Sequence, residues 1–335
     1  MSLSSTTLSR ALRNALIFAT AAAALALQGA PALADSTPSA SEIGGTGHDA
    51  GLAGVQAGTG GLSRTLDGDD GVPIGNDTGG DVSVNPPADT LQARLKQRLA
   101  NAYASAKRGT GSMAAYWALE GEYRETYGDG TSADAMGSST TGASAQIATS
   151  SSRYLSVSWY QQQKSYYCGP ASGYMLLHYR GNVYSAADGR TLSQTTLANT
   201  NHMKTDQYGV TSWGSGLWAS GINMFREGTR GGYFQQVHAP SGSEFENATV
   251  YSIDKSFPFG SDTVEFSGGI HYNSHPDRTI GHWLLAIAYS SYGATAGFND
   301  PAAGLSGGYE SSARYFYYDA STFANRFLQS NGIAY

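Results

Sequence analysis

The stretch Tyr167-Cys168-Gly169-Pro170-Ala171-Ser172 lies in the middle of the chain and predicts the start of a buried helix. Pro170 suits the first turn of a helix, because the amide hydrogen that proline lacks has no partner there. Gly181 predicts the end of the helix. The small residues at its start allow close packing, and Leu176 and Leu177 indicate that the rest of the helix lies in the core.

Two apolar segments further along the chain predict neighbouring strands. The first is Gly281-His282-Trp283-Leu284-Leu285-Ala286-Ile287-Ala288-Tyr289. The second ends at Phe298-Asn299-Asp300-Pro301, where the proline stops strand pairing. A turn between Tyr289 and Gly297 would join them into a hairpin, and such a hairpin can hold His282 beside Asp300.

The order of the elements predicts an α+β domain over residues 151–335, in which a helical part precedes a mainly antiparallel sheet. Leu155, Val157 and Trp159 begin it with the alternation of a half-buried strand. The other predicted elements are helices near 193–200 and 215–226, strands near 232–238 and 263–271, and a strand at Tyr315-Phe316-Tyr317-Tyr318.

The N-terminal quarter has the composition of targeting and flexible segments. Residues 1–34 combine Arg10 and Arg13, an apolar run over 15–27 and small residues at the end, which together predict a secretory signal peptide. The run is shorter than the roughly 20 residues of a membrane helix, so we expect an exported protein with no membrane span. Residues 35–88 are rich in glycine and contain no aromatic residue, so we expect them to be disordered.

Two helices are predicted between this segment and the α+β domain. Leucines recur at helical spacing after Asp89, and a second helical pattern covers about 112–126. Residues 89–127 would therefore form a pro-region, a cell-wall spacer or an accessory helical hairpin. Residues 128–150 are rich in Gly, Ser, Thr and Ala, which predicts a linker.

Composition excludes several classes of protein. A single cysteine in 335 residues excludes a disulfide scaffold, an iron–sulfur cluster and a zinc site built on paired thiolates. A net charge of −6 gives no strongly basic surface for nucleic acid. An exported chain usually pairs its cysteines, so the lone Cys168 is either a small buried apolar residue or a nucleophile.

Cys168, His282 and Asp300 are the residue types of a nucleophile, a general base and an orienting carboxylate. The converging N–H groups of a helix N-terminus favour a cysteine thiolate. Because side chains alternate along a strand, Asn299 and Asp300 point to opposite faces, and only one of them can face His282.

A glutamine before the helix offers a further polar group. Attack on an amide creates an oxyanion, which a side-chain amide and the backbone N–H of Cys168 could stabilise together. Gln162 lies six residues before Cys168. Its neighbours Gln161 and Gln163 make the choice ambiguous by spacing alone.

Together these motifs resemble the papain-like peptidases related to the bacteriocin-processing (double-glycine leader) peptidases, and more narrowly their stand-alone secreted relatives. The resemblance rests on Gln162, on Tyr167-Cys168-Gly169-Pro170-Ala171-Ser172, on Gly281-His282-Trp283 and on Asn299-Asp300-Pro301. It covers about residues 153–330.

The resemblance implies a papain-like fold, in which a helical part carries the cysteine and an antiparallel sheet carries the histidine and the aspartate. It implies hydrolysis of peptide or amide bonds through a thioester, without a metal or an organic cofactor. Carried over to this sequence, Cys168 is the nucleophile, His282 the general base and acid, and Asp300 the orienting residue, while Gln162 is the oxyanion donor. We expect a monomeric, secreted enzyme acting on peptides or proteins, with cell-wall peptides among the candidate substrates.

Two alternatives accompany this prediction. A non-catalytic extracellular or cell-wall binding module could retain the papain-like fold and leave Cys168 unreactive. The spacing of His271, His275 and Asp277 superficially suggests a metal site. The residues between the two histidines, followed by Pro276, instead predict a loop, which would not present both imidazoles on one helix face.

Overall fold

The computed structural model describes residues 90–128 and 150–335. The predicted signal peptide (1–34), the predicted disordered segment (35–88) and nearly all of the predicted linker (128–150) lie outside the described residues. Within the described ranges, no helix combines the length and the apolar character needed to cross a membrane.

Helices of very different length occur in both described ranges. They are α1 (Leu91–Lys107), α2 (Met113–Tyr127), α3 (Cys168–Tyr179), α4 (Gln194–Ala198), α5 (Thr205–Tyr208), α6 (Leu217–Glu227), α7 (Gly242–Asp254) and α8 (Ala320–Phe327).

The strands form a single seven-stranded sheet. They are β1 (Arg153–Tyr154), β2 (Gln236–His238), β3 (Phe259–Glu265), β4 (Ile280–Ser290), β5 (Thr295–Asn299), β6 (Tyr315–Asp319) and β7 (Gly332–Ala334). The order in the sheet is β2-β7-β3-β4-β5-β6, with β1 added to β4, and every pairing is antiparallel. The predicted α+β class with an antiparallel sheet is confirmed.

The strand β4 is the centre of the sheet and is buried over all but its last residue. It pairs with β3 on one side and with β5 on the other, and the β4–β5 hairpin has the predicted turn. Helices α3 and α7 both contact β4. A strand enclosed in this way explains the nearly continuous apolar run of its sequence.

A stack of tryptophans joins the helical part to the sheet. Trp218 of α6 lies parallel to Trp283 of β4, with ring centroids 5.3 Å apart. Trp218 also donates its indole N–H to Ser172 Oγ of α3 at 3.0 Å. Gly260 of β3 makes room for this ring, because a Cβ there would lie 2.9 Å from it. The stack therefore positions α3 against β4 immediately after His282.

Two strand predictions differ from the structure. The alternation over 155–160 is present in the burial pattern, but the regular strand β1 ends at Tyr154. The Val157 N–H turns back to the Leu155 carbonyl instead of continuing a ladder. The strand predicted near 263–271 begins earlier, at Phe259, and ends at Glu265, because a turn at Gly268, with φ of +76°, follows.

The helices α1 and α2 pack against the α+β part of the chain. Buried residues of α1, including Leu99 and Tyr103, belong to the same apolar core as β4. Lys107 at the end of α1 is buried and bonds both Asp254 of α7 and Tyr289 of β4. Among the described residues, the hydrogen bonds of the α1–α2 hairpin go to other parts of the chain than Cys168.

Candidate active site

Cys168 is the first residue of α3, and its side chain is completely buried. The preceding Tyr167 is the N-cap residue, and its carbonyl accepts the Ala171 N–H at 2.8 Å. Pro170 fits the first turn, as the sequence predicted. The sulfur is therefore carried by the end of the helix where backbone N–H groups favour negative charge.

Gly169 permits a close approach beside Cys168. A Cβ at this position would lie 2.2 Å from Thr211 Oγ1, so no larger residue fits without displacement of the threonine. The carbonyl of Thr211 accepts the Trp283 indole N–H at 3.0 Å. These contacts link the start of α3 to β4 immediately next to His282.

His282 is the third residue of β4 and is completely buried. It lies opposite Thr263 of β3 in the antiparallel register. The Thr263 hydroxyl donates to the His282 carbonyl at 2.9 Å. The backbone of the histidine is thus held by the central strand pair, and its ring is the only part free to be oriented by side chains.

Asp300 directly follows β5 and is also completely buried. Its carboxylate Oδ1 accepts the His282 Nε2–H at 2.8 Å. Asn299 points away, since its amide contacts the Val157 carbonyl and Met175 Sδ. Of the two neighbours that sequence left open, Asp300 is therefore the one that faces the imidazole.

The second ring nitrogen of His282, Nδ1, has no hydrogen-bond partner among the described residues. The Cys168 side chain interacts with this ring. Burial opposes the charged form of His282, but the Asp300 carboxylate outweighs it, with a smaller contribution from Cys168, and the pKa is raised to about 9. The imidazole thus lies between the Cys168 side chain and a carboxylate, and both favour its imidazolium form.

Gln162 lies in the loop before α3, and its side chain is buried. Its amide Nε2 donates to the carbonyls of Lys164 and Ser165, at 3.0 and 2.7 Å. Its backbone N–H donates to the Pro301 carbonyl at 2.9 Å, which ties this loop to the end of β5 beside Asp300. The neighbouring Gln161 is directed to the Ala303 carbonyl instead.

Sequence reasoning missed the groups on the far side of Asp300. Its second oxygen, Oδ2, accepts from His275 Nε2 at 2.8 Å and from Asn273 Nδ2 at 2.7 Å. The other nitrogen of His275, Nδ1, lies 2.6 Å from Glu265 Oε1. The spacing of the loop histidines was the available signal, but it predicted only a loop, because nothing in the sequence placed Glu265 against His275.

The loop containing His271, His275 and Asp277 is irregular, as predicted, and its histidines face carboxylates. His271 bonds Glu265 and Asp277. The potential ligand atoms of His275, His282 and Asp300 lie within 4.8 Å of one another. Each of these residues takes part in an imidazole–carboxylate hydrogen bond, and these bonds explain why the three side chains lie together.

A comparison with protein families gives one match. The model described as the Peptidase_C39 like family matches residues 154–335. No curated protein and no solved structure matches the chain. The family match covers more than half of the sequence and includes α3, β4 and the end of β5. The chain therefore belongs to the Peptidase_C39-like family.

Proposed function

We propose that this chain is an exported cysteine peptidase that hydrolyses peptide or amide bonds through a thioester. One observation carries the proposal: the His282 ring lies between the Cys168 side chain and the Asp300 carboxylate. Membership of the Peptidase_C39-like family supports a peptidase, and thus a hydrolase. We further propose that the chain has the papain-like fold and is related to the bacteriocin-processing peptidases, in particular to their stand-alone secreted relatives.

The proposed reaction assigns one role to each group. In the resting site the proton of Cys168 resides on His282 Nδ1, which gives an imidazolium beside a thiolate, and the sulfur then attacks the substrate carbonyl. The imidazolium then protonates the leaving amine as the C–N bond breaks, which leaves an acyl thioester. His282 next takes a proton from water, the resulting hydroxide attacks the thioester, and the thiol leaves with that proton as the acid is released. Asp300 keeps the imidazole oriented throughout.

Oxyanion stabilisation is proposed for the backbone N–H of Cys168 and the amide of Gln162. Both N–H directions of the Gln162 amide have carbonyl partners, at Lys164 and Ser165. To donate a hydrogen bond to an oxyanion, the Gln162 amide must therefore give up one of these two hydrogen bonds or share one N–H between the carbonyl and the oxyanion. Burial of Gln162 in the loop that contacts Pro301 supports a role close to the reacting groups.

The alternative is a non-catalytic extracellular or cell-wall binding module with the same fold. The observation that favours it is the complete burial of both Cys168 and His282. A peptidase needs a path for its substrate to the sulfur, whereas a binding module needs none. The two functions therefore differ in the reactivity of Cys168 toward a small electrophile.

The expected partners are peptides or proteins, including cell-wall peptides, and the proposed reaction needs no metal or organic cofactor. Export is proposed from the signal-peptide pattern of residues 1–34. A monomer is the proposed state.

The test combines labelling and turnover. Iodoacetamide is expected to modify Cys168 near neutral pH, and a fluorogenic peptide library is expected to reveal hydrolysis that Cys168→Ala abolishes. Circular dichroism and the melting temperature should be the same for both proteins. Hydrolysis that persists in Cys168→Ala would overturn the proposal, and an unreactive Cys168 without turnover would overturn it in favour of the binding module.

A further inference from the structure

A second imidazole is inserted between two buried carboxylates next to the candidate active site. His275 is buried, and its ring nitrogens lie 2.6 Å from Glu265 Oε1 and 2.8 Å from Asp300 Oδ2. Ionised carboxylate oxygens only accept hydrogen bonds. Both nitrogens of His275 must therefore carry hydrogen when both carboxylates are ionised, so the ring is an imidazolium.

Glu265 fixes one end of this arrangement. It is the last residue of β3, and its Oε2 accepts from His271 Nδ1 at 3.0 Å and from the Tyr272 backbone N–H at 3.1 Å. Its Oε1 is left for His275. Burial opposes ionisation of Glu265, but the hydrogen bonds of the two histidines outweigh it and lower its pKa.

Asp300 lies at the other end. Its Oδ1 receives the His282 Nε2–H and the Ala302 backbone N–H, at 2.8 and 2.9 Å. Its Oδ2 receives His275 and Asn273, both from the loop between β3 and β4. A carboxylate held by donors on both oxygens cannot rotate, so the direction of Oδ1 toward His282 depends on the anchors of Oδ2.

We propose that His275 is a positioning residue of the peptidase reaction: as a doubly protonated ring it holds Asp300 against His282, and Glu265 holds His275. This inference rests on the proposed function and adds two residues to it. His275 does not touch the substrate carbonyl or the sulfur. It acts through Asp300.

The charges support this assignment. Glu265, His275 and Asp300 together carry one net negative charge, the same as a lone aspartate. The array therefore presents His282 with a single negative charge while every hydrogen bond in it is charge-assisted. Burial opposes the charged His275 ring, but the Asp300 carboxylate, with Glu265, raises its pKa to about 9.

The other groups around His275 are mostly aromatic. Its ring centroid lies 4.5 Å from that of Tyr272, 4.9 Å from that of Tyr309 and 5.5 Å from that of His282. The guanidinium of Arg278 lies over the Tyr309 ring, 5.5 Å from its centroid. His271, His282 and Arg278 are therefore the other cationic groups close enough to His275 to affect a pH profile.

The test uses four variants of the full chain. His275→Leu removes both N–H groups, His275→Gln keeps one donor for Asp300, and Glu265→Gln removes the charge behind the imidazolium. His271→Gln is the matched control, because His271 also bonds Glu265 but does not reach Asp300 in the described contacts. Peptide turnover and the rate of iodoacetamide labelling of Cys168 are measured from pH 5 to pH 10.

His275→Leu is expected to lower kcat by about 10- to 100-fold, the range found when an outer partner that orients a metal-ligating side chain is removed, with KM nearly unchanged. His275→Gln should recover part of this loss. Glu265→Gln should move the alkaline limb of the labelling profile to lower pH, because it makes the array facing His282 neutral. His271→Gln should stay within about twofold of the wild type, since its effect on Asp300 is indirect.

The proposal would be overturned if His275→Leu had the kcat and the pH profile of the wild type. Should the leucine variant fail to fold, the same result in His275→Gln and Glu265→Gln would overturn it. A wild-type protein without peptide turnover would contradict the proposed function. The labelling profile would still test the positioning of His282 in that case, so the two failures are distinguishable.

Discussion

Replacement of Asp300 by asparagine is the most direct test of the imidazole–carboxylate pair. The change keeps the shape of the side chain and an oxygen that can accept the His282 Nε2–H at the observed 2.8 Å. It removes the negative charge that outweighs the burial of His282. The expected result is a large loss of activity above neutral pH.

The magnitude follows from the pKa of His282, which Asp300, with a smaller contribution from Cys168, raises from 6.5 to about 9. Without the carboxylate, burial opposes the charged ring, so the pKa should fall to 6.5 or below. At pH 8 the imidazolium fraction then drops from about 0.9 to about 0.03, which is roughly a 30-fold loss. The alkaline limb of the profile should move down by at least about 2 pH units.

The assay is kcat/KM for a fluorogenic peptide from pH 5 to pH 10, with folding checked by circular dichroism. Asn299→Ala is the matched control, because this neighbouring amide is buried on the opposite side and contacts Val157 and Met175. Its pH profile should be that of the wild type. A folded Asp300→Asn variant with an unchanged alkaline limb would refute the reasoning.

Four further predictions concern stability. Lys107→Met removes the buried cation bound to Asp254, and urea unfolding should show a free energy of unfolding lower by about 3–5 kcal/mol; a loss under about 1 kcal/mol would contradict this. Gly169→Ala would place a Cβ 2.2 Å from a threonine oxygen and should cost about 1–3 kcal/mol. Gly121→Ala, inside α2 with nothing within 4 Å, should instead gain about 0.5–1 kcal/mol in the same assay. The pKa of His282 is raised to about 9, so the contribution of its charged form to stability is complete below pH 6.5 and is lost as pH rises through 9. The melting temperature should therefore fall over this interval. A melting temperature that does not fall, or that falls equally in His282→Gln, would contradict this.

The parts of the site that sequence predicted are those with strong local patterns. Pro170 and the glycines mark a helix start, so Cys168 could be placed at an N-terminus. A continuous apolar run marks β4, and Pro301 marks the end of β5. Because consecutive antiparallel strands joined by a short turn pair side by side, this hairpin brings His282 near Asp300 whatever the rest of the chain does.

The parts that were missed depend on contacts between distant segments. Glu265 ends a strand and meets His275 only because the loop between β3 and β4 folds back over that end. The helix α7 begins with a capping box at Ser241 and Glu244, a local signal that could have been used. The direction of the Gln162 amide is set by two backbone carbonyls, which no residue pattern reveals.

The packing of α1 on the sheet has a consequence for the boundaries of any recombinant fragment. The family match begins at residue 154, after the α1–α2 hairpin has ended. A fragment started there would lose Lys107 and would leave the carboxylate of Asp254 without its lysine. It would also uncover Tyr289 on the strand that holds His282, and the hydroxyl of Tyr335 would lose its Gln97 acceptor. We expect such a fragment to aggregate on expression, whereas one begun before residue 90 should yield soluble protein.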